Sequence, residues 1–149
     1  RGEHQKALAR YLGALSLFER AGAEPLTLAS HHRRIGEVLK REGLLRKALA
    51  HYQGALDARS QLLGPRHSGM CHFEVASVLH QLGQLDAALV HYSEALTCHS
   101  AAASNGSVDG EIVDVAQVLG SMALVHEEKG DYRNAWELSS RSLDRGKHR

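Results

Sequence analysis

Small and apolar side chains recur along the chain at the spacing of a helix face. In one stretch they fall at Leu45, Ala48, Leu49, Tyr52, Ala55 and Leu56, in steps of three, one, three, three and one. Such steps keep every member on one side of an α-helix and leave the other side to polar residues. Leu85, Ala88, Leu89, Tyr92, Ala95 and Leu96 repeat the stripe. Each stripe follows a glycine, Gly43 or Gly83. A related order begins at Gly2 (Ala7, Leu8, Tyr11, Ala14, Leu15) and at Gly130 (Ala135, Trp136, Ser139, Ser142, Leu143). The four glycines lie 41, 40 and 47 residues apart. Self-similarity at a fixed period describes stacked supersecondary units.

A second helix precedes each internal glycine. Ile35, Gly36 and Leu39 lie eight, seven and four residues before Gly43; Val75, Ala76 and Leu79 stand likewise before Gly83, and Met122, Ala123 and His126 before Gly130. A glycine between two such stripes reads as a helix stop and a tight turn. The spacing predicts helices over 3–21, 27–42, 44–62, 69–82, 84–102, 112–129 and 131–145. Gly36, Ala76 and Ala123 are expected to face Ala48, Ala88 and Ala135, because small residues let helix axes approach closely. Ser104 to Gly110, rich in turn formers, reads as a loop that lengthens the last interval. The chain is read as one array over 1–149: a half repeat at 1–22 and repeats at 27–62, 69–102 and 112–145. It opens on Arg1 inside the pattern and has no initiator Met, so it is read as a piece of a longer protein.

This pattern resembles the tetratricopeptide repeat. The consensus order of a small residue, a glycine, an alanine, an aromatic and an alanine is met by Gly36, Gly43, Ala48, Tyr52 and Ala55, and again by Ala76, Gly83, Ala88, Tyr92 and Ala95. The last unit departs from it at His126, Ser139 and Ser142, so its second helix is expected to pack less tightly. The resemblance implies an all-α, right-handed α-solenoid of about three and a half antiparallel helix hairpins. The usual repeat has about 34 residues, whereas intervals of 40 and 41 add roughly two helical turns. Longer helices and the linker-like Leu63-Gly64-Pro65-Arg66-His67 make the repeat similar to the kinesin light chain class, although Ser68 stands where that class has proline.

Composition narrows the function. Eighteen Lys and Arg against 17 Asp and Glu give a net charge of +1, no broad basic footprint for nucleic acid or an anionic membrane. The Arg33-Arg34 and Lys40-Arg41 pairs are broken by Glu37 and Glu42 and read as a solvated helix face. Aromatics are 5% and prolines two, which suits helices. No apolar run reaches the ~20 residues of a membrane span. Cys71 and Cys98 form no CxxC pair and read as ordinary thiols of a reducing, cytoplasmic setting. None of the 11 histidines has the spacing of a structural zinc site, and His51 and His91 recur with the repeat, so they read as solvated or rim residues. With no P-loop, HExxH or GxSxG, no enzyme activity and no cofactor are expected.

The resemblance therefore points to a protein or peptide ligand in the concave groove lined by the first helix of each pair. Off the buried stripe, the groove residues are Arg33, Arg34, Glu37 and Arg41 in the first complete unit. They are Met70, Phe73, Ser77 and His80 in the next, and Gln117, Gly120, Ser121 and Leu124 in the last. Phe73 and Leu124, with Met70, either form an apolar pocket with Phe73 as anchor or are covered by longer helices or neighbouring protein. One subclass of the family grips a C-terminal carboxylate. At its positions stand Arg33, Glu37, Glu74, Gln117 and Ser121, of which only Arg33 fits, so this chain is not read as such a clamp. The function implied is an adaptor or scaffold. The alternative is a regulatory or sensor array of a larger signalling or catalytic protein. A first helix without its partner would expose Leu8, Tyr11 and Leu15, and self-association through that face is expected.

Overall fold

The computed structural model describes residues 2–64, 68–104 and 114–147. It contains seven helices and, among the described residues, no strand: α1 (Gly2–Arg20), α2 (Pro25–Arg41), α3 (Leu45–Leu63), α4 (Gly69–Gln81), α5 (Leu85–Ser104), α6 (Val115–Glu128) and α7 (Tyr132–Lys147). The tightest pairings are α2 with α3, α4 with α5 and α6 with α7. Looser contacts join α1 to α2, α3 to α4 and α5 to α6. The architecture is an all-α solenoid of helix hairpins. No helix among the described residues is long and apolar enough to cross a membrane. Pro65, Arg66 and His67 of the linker-like segment, and Asn105 to Gly110 of the expected loop, lie outside the described residues.

Each hairpin turn is set by one backbone device. Helix α2 ends at Glu42, and Gly43 follows with φ +80°. The Gly43 N–H donates to the Lys40 carbonyl (3.0 Å) and the Leu44 N–H to the Leu39 carbonyl (2.9 Å). This Schellman closure satisfies the last carbonyls of the helix, and its left-handed residue favours glycine. Gly83 and Gly130 repeat it. So does Gly22 between α1 and α2, with φ +69° and an Ala23 N–H to Phe18 carbonyl bond of 2.9 Å. Gly2, by contrast, is the first residue of α1.

The stripes become the core. Ile35, Leu39, Ala48, Tyr52 and Ala55 are buried in the first complete hairpin, and Val75, Ala76, Leu79, Ala88, Tyr92 and Ala95 in the second. Val38, Val78 and Val125, each two positions past the expected small residue, are buried at equivalent places. Burying a valine contributes about 1.5–3 kcal/mol. The close approach in the first hairpin differs from the expected one, because Gly36 lies under the ring of Tyr52. A Cβ on Gly36 would meet Tyr52 Cε1 at 2.9 Å, so the ring occupies the space a side chain would need.

Two histidine pairs tie the same hairpins. His32 Nδ1 lies 2.9 Å from His51 Nδ1, and His72 Nδ1 lies 3.0 Å from His91 Nδ1. His51 and His91, expected as solvated or rim residues, are half-buried and each is paired across its hairpin. In the last hairpin the corresponding positions hold Leu119 and Leu138, both buried. There Ser142 replaces the repeat alanine, and its hydroxyl donates to the Ala116 carbonyl of α6 at 2.7 Å. Ser68 is fully buried and its hydroxyl meets that of Ser60 on α3 at 2.8 Å, a cross-link that proline would not supply.

Candidate functional site

Helices α2 and α4 stand side by side as first helices of adjacent hairpins, and a cleft of about 510 Å³ opens between them. Met70 and Phe73 of α4 make an apolar wall, with Phe73 tilted against the Tyr92 ring at a centroid distance of 5.7 Å. Facing them are Arg33, Glu37, Lys40 and Arg41 of α2. Tyr52 reaches the cleft from α3, and Glu74, Ser77 and Gln81 complete it.

The charges are held by one another. Arg33 Nε donates to Glu74 Oε1 at 2.6 Å, and Arg41 Nη2 donates to Glu37 Oε1 at 2.8 Å. The first pair bridges the two helices and is mostly shielded, with side-chain exposures of 20% and 15%; the second lies on one helix at 60% and 54%. The Lys40 ammonium donates to the Ser77 hydroxyl. Burial lowers the Lys40 pKa, against the opposing pull of Glu74 and Glu37. Burial likewise raises that of Tyr52 above the usual phenol range.

Arg33, Glu37, Arg41, Met70, Phe73 and Ser77 of the expected groove residues meet in this cleft. The others stand apart from it. Arg34, Gln117 and Leu124 are exposed, and His80 Nε2 lies 2.9 Å from Glu128 Oε1 across the next junction. Ser121 hydrogen-bonds Tyr92, a contact that opposes the upward shift burial gives that phenol. Gly120 sits by Ser142. Phe73 and Leu124 therefore do not share a pocket. Leu124 is 55% exposed, at the position equivalent to Ser77. Sequence reasoning missed Lys40, Tyr52, Glu74 and Gln81. Lys40 and Gln81 lie one turn beyond residues that were named, and Glu74 was weighed only for a carboxylate clamp.

Among the described residues no three His, Cys, Asp or Glu side chains are grouped to hold a metal ion. In each histidine pair the centroid separation, 5.1 or 5.2 Å, exceeds the nitrogen separation by about two ring radii. The two Nδ1 atoms thus point at each other, whereas a metal at about 2.0–2.1 Å from both would need their lone pairs to converge on a third point. Leu15 of α1 is buried, and Leu8 and Tyr11 pack against the core. This corrects the expectation that α1 exposes them. The exposed apolar residues of α1 are Leu12, Leu17 and Phe18, and those of α7 are Tyr132, Trp136 and Leu143.

A tetratricopeptide repeat family model matches residues 26–101, just over half of the chain and the segment that holds the whole cleft. The chain belongs to the tetratricopeptide repeat family. Solved structures agree on the fold. BtubC (BKLC) from P. vanneervenii superposes with a TM-score of 0.84 at 20% identity, covering 96% of this chain and 56% of that one. The tetratricopeptide repeat domain of Arabidopsis FLU gives 0.73 at 17% identity, covering 85% of this chain and all of that one. MamA gives 0.69 at 14% identity, covering 96% and 68%. The chain thus spans little more than half the length of BtubC. No curated protein matches it in sequence. As a tetratricopeptide repeat array the chain is a protein-interaction module.

Proposed function

We propose that this tetratricopeptide repeat array is an adaptor or scaffold that holds a protein segment or peptide in the α2–α4 cleft. The observation that carries the reading is the cleft itself, with an apolar wall at Met70 and Phe73 opposite a fixed set of charges. Apolar anchors beside oriented polar groups suit an extended or helical peptide. Binding, not catalysis, is the role assigned. The thiols of Cys71 and Cys98, both buried, support a reducing, cytoplasmic setting. Self-association is assigned to the ends of the array, through Leu12 and Leu17 of α1 and Tyr132, Trp136 and Leu143 of α7. Sedimentation at high micromolar concentration should show a dimer, and a clean monomer refutes that part.

The test of the cleft is affinity purification from native lysate with the full chain and two variants of unchanged helical circular dichroism. Phe73→Ala should lose the captured proteins and Leu124→Ala should keep them. The same proteins on Phe73→Ala as on the parent would mean that the cleft is not the site.

A further inference from the structure

The two histidine pairs repeat in position and geometry. Each joins the first and second helices of one hairpin, at 2.9 and 3.0 Å between Nδ1 atoms and with rings tilted by 33° and 35°. Two nitrogens at that distance must share a proton, so one ring donates its Nδ1–H and the other accepts with a bare Nδ1. A first added proton settles on the free Nε2 of the donor ring, and the bond survives as a charge-assisted one. A second added proton goes to the accepting Nδ1. It removes the acceptor and sets two like charges against each other.

We propose that His32–His51 and His72–His91 are two proton-sensitive clasps that hold the α2/α3 and α4/α5 hairpins closed at neutral pH and release them on acidification. Leucines in the same places of the third hairpin show that the fold does not need histidine there. Burial is the leading cause that lowers the pKa of all four rings. The charged groups acting on the first pair are Glu19 of α1, which favours the charged form, and His31 of α2, which opposes it. On the second pair it is Glu94 of α5, favouring the charged form.

The sign follows from linkage. The unfolded chain takes up protons at these rings as pH falls through about 6.5, and the folded chain only lower. The stabilisation is complete above that value and is lost as pH falls through the lowered folded values. Arg33 and Phe73 each directly follow a paired histidine, so release would act on both walls of the cleft. The clasps themselves do not depend on the function proposed for the cleft.

The experiment is a pH titration of the full chain by long-range 15N imidazole NMR, with melting temperatures over the same range. The parent should show, at pH 8, one Nδ1–H tautomer in each pair. Its melting temperature should fall between pH 7.5 and 5. His32→Leu with His51→Leu should remove about half of that fall, His72→Leu with His91→Leu the other half, and the quadruple variant nearly all. Four Nε2–H tautomers titrating independently near the usual histidine value would overturn the proposal without any variant. So would a quadruple variant as acid-sensitive as the parent.

Discussion

Where the α2/α3 and α4/α5 hairpins hold His32–His51 and His72–His91, the α6/α7 hairpin holds Leu119 and Leu138. The junctions differ in the same direction. Between α2 and α4, Arg33 and Glu74 form a shielded bridge and a cleft opens beside it. At the next junction His80 pairs with Glu128, whose side chain is 55% exposed, and Leu124 stands out in solvent. The closing glycines and the buried valines are the same throughout. The repeat thus fixes the frame, and the residues between its positions decide whether a joint is polar or simply packed. The first two hairpins join through paired polar side chains, and the last joins through packed leucines.

The comparison breaks most visibly at the paired positions. Leu119→Ala should cost about 2–5 kcal/mol, the range for emptying a buried leucine site, whereas His72→Ala at the equivalent place should cost far less. Equal losses in urea unfolding would erase the distinction between the two kinds of hairpin. Next comes the frame. Ala88 is fully buried, and Ala88→Phe should overpack the second hairpin by roughly 1–3 kcal/mol. Ala135→Phe should cost less, because α7 has no following helix among the described residues to press against. An unchanged melting temperature for Ala88→Phe would contradict the packing described. The bridges give a smaller contrast. Glu74→Ala should cost about 1.5–3 kcal/mol, as for a shielded hydrogen bond to a charged group. Glu128→Ala should stay within about 0.5 kcal/mol at neutral pH, as for an exposed pair. A double-mutant cycle between Arg33 and Glu74 with no coupling would level the two junctions.

The hairpin frame was legible because glycine, alanine and tyrosine at fixed offsets have one geometric meaning. Gly43 closes a turn at φ +80° and Ala48 is fully buried. The partner of Gly36 was not legible. Periodicity gives the face of a residue but not which atom across the hairpin comes nearest, and that atom belongs to Tyr52. The histidine pairs left a signal that spacing alone could have caught. His32 and His51 are 19 residues apart, as are His72 and His91. The fate of α1 was misjudged for a physical reason. Its stripe packs on α2, so Leu8, Tyr11 and Leu15 keep their cover without an upstream helix. Six of the ten residues that line the cleft were named from helix faces. The rest depended on where neighbouring helices come together, which a single helix does not encode.

On the proposed function, partners are read between α2 and α4 and not along α6. A peptide recovered from a random display library panned on the full chain, added to isotope-labelled protein, tests it most directly. The amide and side-chain NMR shifts should concentrate in Arg33 to Arg41 and Met70 to Gln81, with Gln117 to Leu124 unmoved. Shifts centred on Gln117, Ser121 and Leu124, or on the exposed face of α7, would contradict it.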